Sequence, residues 1–290
     1  MGRHIIFDFD GTITEKDTIG NIAQAALEWR KTPDGGGADL TREWEHVVQS
    51  YVQDLAKYDQ TQPPEQQRIT WQQERDYLRG RRVVEEASLA RVRESGIFAG
   101  FAADDRLVAA GRRDRETGRT RIRDGFAEYL TMIRDHNHIV HVVSVNWSAA
   151  YIRGVLEPWN ITSIVANEIQ LDGSIATSLE CFTPQPSRLE PLKALATSSD
   201  KLEATKHLLE RVGGQCKGYF GDSTTDLECL DFCGGWVITA SDGKSSLVRT
   251  LQRLGHDVPC ISGPRGADSR ISWAHDFTEV AAHITGRTIS

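Results

Sequence analysis

The sequence predicts an α/β fold whose parallel sheet is interrupted, directly after its first strand, by a large helical insertion. Three observations carry this. An apolar run, His4-Ile5-Ile6-Phe7, breaks at two aspartates. From Asp17 to about Leu107 the periodicity is helical with little strand signal. Beyond Arg123, short apolar runs alternate with amphipathic segments.

Taken in order, His4 to Phe7 has the length and bounds of a buried strand opening into a loop. Thr18 to Arg30, Leu40 to Tyr58 and Glu65 to Ala90 carry helical spacing, and the breakers Lys31-Thr32-Pro33-Asp34-Gly35-Gly36-Gly37 and Thr61-Gln62-Pro63-Pro64 separate them. Arg112 to Arg123 reads as a polar linker back to the sheet. Gly125 to Asp135 is helix-like and Ile139 to Ser144 is a strand. There follow a strand at Ser163 to Ala166, a hairpin turn at Leu171-Asp172-Gly173-Ser174, a helix from Lys201 to Val212, a strand at Gly218 to Gly221, a helix from Thr225 to Phe232 and a strand at Trp236 to Thr239. Such alternation implies a parallel sheet, and ligands on these sheets bind beyond the carboxyl ends of the strands.

Composition bounds the function. At 290 residues, with 39% hydrophobic and 26% charged residues, the chain falls among ordinary globular proteins. A formal charge of -7 argues against a nucleic-acid binder, which needs a basic face. No stretch approaches the roughly 18 apolar residues of a membrane span, and Met-Gly-Arg-His runs straight into a strand rather than a signal peptide. A cytoplasmic protein with neither nucleic acid nor membrane as partner is expected. Cys181, Cys216, Cys229, Cys233 and Cys260 are an odd number without a framework pattern, so they are expected to be reduced, with Cys229 and Cys233 packing on a helix face rather than binding zinc.

Four segments just past or beside the strands carry chemistry. Asp8 and Asp10, one residue apart at a strand end, place both carboxylates on one side of the chain. The pair suits one ionised and one protonated acid, and a divalent cation makes both roles compatible. Gly11 and Thr12 follow at a loop whose backbone N–H groups suit phosphate oxygens. Ser144 ends a strand and offers a hydroxyl, and Lys201 offers a positive charge for a carboxylate or a phosphoryl group. In Gly221-Asp222-Ser223-Thr224-Thr225-Asp226, two more carboxylates supply oxygen ligands for a hard cation. Taken singly, each segment also reads as turn or helix-cap chemistry: Asp10-Gly11 as a turn, Ser148 as a cap, Lys201 as a solvated helix residue, Asp226 as a first-turn acid.

Jointly and in this order the four segments resemble the haloacid dehalogenase (HAD) superfamily, over residues 1 to 14 and about 123 to 240. The resemblance implies a Rossmann-like parallel-sheet core, residues 1–14 and 123–290, with an α-helical cap over 15–122, as in the phosphoserine-phosphatase-like branch. It implies a phosphatase in which Asp8 attacks phosphorus to give a phosphoaspartate, Asp10 is acid and then base, and Ser144 and Lys201, with Gly11 and Thr12, hold the phosphoryl group. It further implies Mg2+ held by Asp8, Asp10 (through its backbone carbonyl), Asp222 and Asp226. Asp17 stands where that branch places a substrate-contacting glutamate, though capping the next helix is an equal use for it.

The expected activity is hydrolysis of a small phosphorylated metabolite. Alternatives are phosphoryl transfer or mutase chemistry at the same site, a lyase or phosphatase acting on an isoprenoid (di)phosphate, and a retired enzyme serving as a binding module, which the intact acids disfavour. Among the cap arginines Arg79, Arg81, Arg82, Arg91 and Arg93, a minority is expected to reach substrate, with Arg79 and Arg82 the candidates beside Asp17 and Asn146; the others pair with Glu85, Glu86 and Glu94.

Overall fold

The computed structural model describes residues 2–102, 104–177, 193–264 and 269–286. Its strands are β1 (Gly2–Phe7), β2 (His138–Val143), β3 (Ser163–Val165), β4 (Asn167–Ile169), β5 (Ile175–Thr177), β6 (Gly214–Gly221), β7 (Gly235–Ile238) and β8 (Ile271–Ala274). Six of them form one sheet in the order β3-β2-β1-β6-β7-β8, every pairing parallel, and β4 and β5 form a separate antiparallel hairpin. The α/β class read from the sequence is the class observed. Strand order reverses direction at β1, so the crevice beyond its carboxyl end, flanked by β2 and β6, is the switch point where such sheets bind ligands.

The side-chain period of two explains why both sheet faces are covered. Ile5 and Phe7 of β1, with Phe220 and Ile238, join one apolar cluster, whereas Ile6, Tyr219 and Val237 join the other. The helices are α1 (Ile19–Arg30), α2 (Thr41–Thr61), α3 (Trp71–Gly80), α4 (Arg82–Glu94), α5 (Asp104–Glu116), α6 (Phe126–Asp135), α7 (Ala149–Leu156), α8 (Ser198–Val212), α9 (Leu227–Cys233), α10 (Ser246–Arg253) and α11 (Phe277–Ile284). Among the described residues, no helix is long and apolar enough to cross a membrane.

Three expectations are corrected. The single helix expected over Glu65 to Ala90 is a short turn followed by α3 and α4, which bend apart at Arg81. There Tyr58 of α2 presses its hydroxyl against Gly80, where a Cβ would lie 2.2 Å away, and donates to the Tyr77 carbonyl at 2.7 Å. Next, the Arg-rich passage is no linker up to Glu116, because α5 continues through it and packs closely on α7. A Cβ on Gly111 would lie 2.2 Å from the Tyr151 carbonyl oxygen, and one on Gly154 would lie 2.0 Å from that of Val108. Arg112 pairs with Glu157 at 2.7 and 2.6 Å and Arg115 donates to the Gly154 and Val155 carbonyls, so these arginines fasten a helix to the sheet layer. Within 15–122, therefore, α5 packs on a core helix, while α2 and α4 pack on each other away from the sheet.

The third correction concerns the cysteines. Cys216 in β6 and Cys233 at the end of α9 are joined as a disulfide, Cα–Cα 5.5 Å, because the parallel β6–β7 crossover returns the chain to where it began. Cys229 is buried and free, Cys260 is free, and Cys181 lies outside the described residues.

Candidate active site

Sheet register sets the floor of the site. The Asp8 N–H donates to the Phe220 carbonyl at 2.8 Å, which carries the β1–β6 ladder one residue past β1 and brings Asp8 level with the loop after β6. That loop closes on itself through Asp226, whose Oδ2 accepts from the N–H groups of Asp222 (3.0 Å) and Ser223 (3.1 Å). Asp226 Oδ1 accepts from Lys201 Nζ at 2.6 Å and from the Tyr219 hydroxyl at 2.8 Å. Both oxygens of Asp226 are thus engaged in holding the floor together.

Lys201 reaches this position because α8 begins earlier than the sequence suggested. A capping box between Thr197 and Asp200 starts the helix at Ser198. Lys201 then falls on the buried face, fully enclosed, with Nζ 2.8 Å from Asp8 Oδ1. This last contact is an ion pair without hydrogen-bond alignment, so Asp8 Oδ1 keeps an unsatisfied acceptor. Burial works against the ammonium charge, but Asp226 and Asp8 outweigh it and hold the Lys201 pKa above its ordinary value.

The carboxyls respond to crowding. Burial pushes Asp8 up to about 6, with Lys201 opposing and Asp226 adding to the rise. Asp222 is raised well above the carboxylate range by burial and by the charges of Asp8 and Asp226. One oxygen each of Asp8, Asp222 and Asp226 lies within 4.8 Å of the others. Asp8, with its orphaned acceptor, and Asp222 are oxygen donors that fit a hard divalent cation such as Mg2+, whereas Asp226, expected as a further ligand, has both oxygens taken by Lys201, Tyr219 and the loop N–H groups. Gly11 belongs to the same fit: its φ is +73°, and a Cβ there would lie 2.3 Å from Asp222 Oδ2. Thr12 Oγ1 donates to Asp222 Oδ1 at 3.2 Å.

Asp10 sits apart from this cluster. Its Oδ1 accepts from the Thr18 N–H (2.9 Å) and hydroxyl (2.7 Å), and its Oδ2 from the Asn146 amide at 2.7 Å. Burial raises it to about 7, with the Asp17 charge adding and the Asn146 and Thr18 hydrogen bonds opposing. Asn146, considered as a substrate contact, therefore touches Asp10. Asp17 caps the head of α1, accepting from Ile19 N at 2.9 Å. It is exposed and lines the cavity, where partial loss of hydration raises its pKa. Ser144 is fully buried after β2, and its Oγ accepts from the Asn146 N–H at 3.2 Å.

Above the floor lies a cavity of about 640 Å3, lined by Asp8, Asp10, Gly11, Asp17 and Asp222 below and by residues of α2 and α4 above. Of the five cap arginines, Arg81 lines it. Arg79 is exposed and away from it, and Arg82 turns outward to Asp200 and Glu86 because consecutive helical positions point in different directions. Sequence reasoning passed over Tyr219, Arg123, Tyr51, Trp44 and Asn167. Arg123 donates to the Thr12 carbonyl at 3.0 Å and to that of Gly11, pinning the first loop, and Asn167 ties Val145 and Asn146 to Leu195. A polar residue at the point where an Arg-rich segment rejoins the sheet is a signal that could have flagged Arg123; Tyr219 sits in an apolar run and has none.

A family model described as haloacid dehalogenase-like hydrolase matches residues 5–231. A CTO1 family protein of Schizosaccharomyces pombe is 27% identical over 252 residues, covering 82% of each chain. Cold tolerance protein 1 of Saccharomyces cerevisiae is 26% identical over 283 residues, covering 88% of this chain and 84% of that one. Among solved structures, phosphoserine phosphatase in apo form matches with a TM-score of 0.52 at 14% identity, covering 97% and 98% of the two chains. A phospho-aspartyl intermediate analogue of phosphoserine phosphatase matches with the same score and identity over 99% of each. At these identities the structural likeness is one of fold.

Proposed function

The chain belongs to the haloacid dehalogenase-like hydrolases, and within that family we propose that it is a Mg2+-dependent phosphatase of phosphate monoesters working through a phosphoaspartate on Asp8. The observation that carries the reading is the division of labour between two carboxyls open to one cavity. Asp8 lies 2.8 Å from the buried Lys201 ammonium, whereas Asp10, two residues on, is held instead by the Thr18 hydroxyl and N–H and the Asn146 amide.

The Asp8 carboxylate attacks phosphorus while Asp10, protonated, gives its proton to the departing alcohol oxygen. Asp10 then takes a proton from the water that hydrolyses the acyl phosphate, which frees Asp8 and returns Asp10 to its starting state. Thr18 and Asn146 hold the Asp10 carboxyl in one orientation through both steps. Lys201 stabilises charge on the transferring oxygens, joined by the Ser144 hydroxyl and by backbone donors at Gly11 and Thr12. Asp8, Asp222 and the Asp10 backbone carbonyl would hold Mg2+, with Asp226 anchoring the loop, and the bound ion would supply the positive charge that lets a phosphate approach an acidic floor.

The test is hydrolysis of p-nitrophenyl phosphate with Mg2+ by the wild type and by Asp8→Asn. The substitution is expected to cost about 10⁴-fold or more in kcat, and acid-quenched wild-type enzyme should carry a phosphate on the peptide containing Asp8. Undiminished turnover by the variant refutes the assignment.

A further inference from the structure

The cavity is much larger than a phosphoryl group requires. Its volume of about 640 Å3 is in the range that encloses a whole drug-sized ligand. The walls above the acidic floor are Trp44, Val47 and Val48 of α2, Leu89 of α4, Trp147 after β2, and Leu195 ahead of α8. Val48 is 42% exposed on this wall, so its side chain is accessible from the cavity side. Trp44 and Trp147 meet edge to face with centroids 6.2 Å apart, and Phe98 braces Trp147 from 6.1 Å, so roof and core share a rigid aromatic corner.

Charge narrows the ligand further. Asp8, Asp10, Asp17, Glu85 and Asp222 line the cavity, and Arg81 is the one cation among its described lining residues. Arg81 already faces Glu85 at 3.8 Å, and Glu85 accepts from the Tyr51 hydroxyl at 3.0 Å. Among the described residues little positive charge is left to neutralise a second anionic group on a substrate, so polyanionic phosphates are disfavoured.

Resting on the phosphatase reading of the floor, we infer that the substrate is a phosphate monoester of an alcohol with a neutral apolar body, packed against Trp44 and Trp147, and that these two tryptophans determine specificity. A small amino-acid phosphate leaves this wall wet and sets its carboxylate among acids. Aryl and branched-chain bodies offer the same chemistry to the pocket.

The experiment compares kcat/KM for naphthylethyl phosphate and isopentyl phosphate with that for ethyl phosphate. All three release primary alcohols, so intrinsic reactivity is matched and the ratio reads the pocket. Burying a body of that size is expected to raise kcat/KM about tenfold or more, with phosphoserine and phosphocholine staying near ethyl phosphate. In Trp44→Ala, and in the solvent-tolerant Val48→Asp, the ratio should fall towards one. Naphthylethyl ahead of isopentyl identifies an aromatic body, and the reverse order a branched one. A wild-type ratio near one, a ratio retained in both variants, or a preference for phosphoserine or phosphocholine overturns the inference while leaving the phosphatase reading intact. If no monoester turns over, that reading fails instead, and calorimetry decides the pocket separately. Naphthylethylphosphonate binding about tenfold tighter than ethylphosphonate, with the difference lost in Val48→Asp, upholds the apolar site; equal binding ends it.

Discussion

The floor of the cavity and its roof solve different problems with different means. On the floor, Asp8, Lys201, Asp226 and Tyr219 are enclosed at strand ends and at the head of one helix, placed by backbone register, by the hydrogen bonds of Lys201 and Tyr219 to Asp226, and by the Lys201–Asp8 ion pair. On the roof, α2 and α4 present apolar surface and the Tyr51–Glu85–Arg81 set, positioned by how the helices rotate and bend. Rigid strand ends suit chemistry that needs reacting atoms held within a fraction of an ångström. A helical roof joined to the core by ion pairs such as Arg82–Asp200 and Arg75–Glu228 suits recognition, which tolerates repacking.

The contrast breaks most severely at Lys201. Lys201→Met leaves Asp8 and Asp226 buried without their shared cation, and the loss expected for half of a buried ion pair is about 3–5 kcal/mol, together with loss of turnover. Urea unfolding of the variant checks it, and an unchanged midpoint means that the ion pair does not hold the floor. Next in size is Asp10. In the proposed mechanism its proton goes to the leaving group, and burial raises its carboxyl to about 7, so kcat/KM should fall as pH rises above about 7. Asp10→Asn should lower kcat/KM by about 10²–10⁴-fold and flatten that alkaline limb, and a limb that persists in the variant assigns it to another group.

The smallest effects belong to the roof. Arg82→Ala removes one of two cations paired with the buried Asp200 and so unlatches α4 from α8, and a rise in KM of a few-fold is expected, with about 1–2 kcal/mol of stability lost. Arg79→Ala, at an exposed position, should lie within about 0.5 kcal/mol of wild type. Equal KM values for the two variants mean that the roof is not latched through Arg82.

The same contrast governs what could be read in advance. Asp8, Asp10, Asp222 and Asp226 were legible because they follow apolar runs, and a strand end in a parallel sheet has one place to go. Lys201 was legible as a residue at the start of a helix, but its burial between Asp8 and Asp226 depends on how α8 packs against strand ends distant in sequence. The Arg112–Arg123 segment was misread because its arginines pair with Glu157 and with the carbonyls of α7, partners distant in sequence.

What the sequence determined by itself is the order of elements and the set of acids at the strand ends, since period and punctuation are local properties of a chain. Only the tertiary structure decided which arginine faces the cavity, which cysteines meet, and that two tryptophans from separate segments share one wall. Those depend on helix rotation and crossover geometry, which are set by packing between residues far apart in the sequence and leave no local periodicity to read.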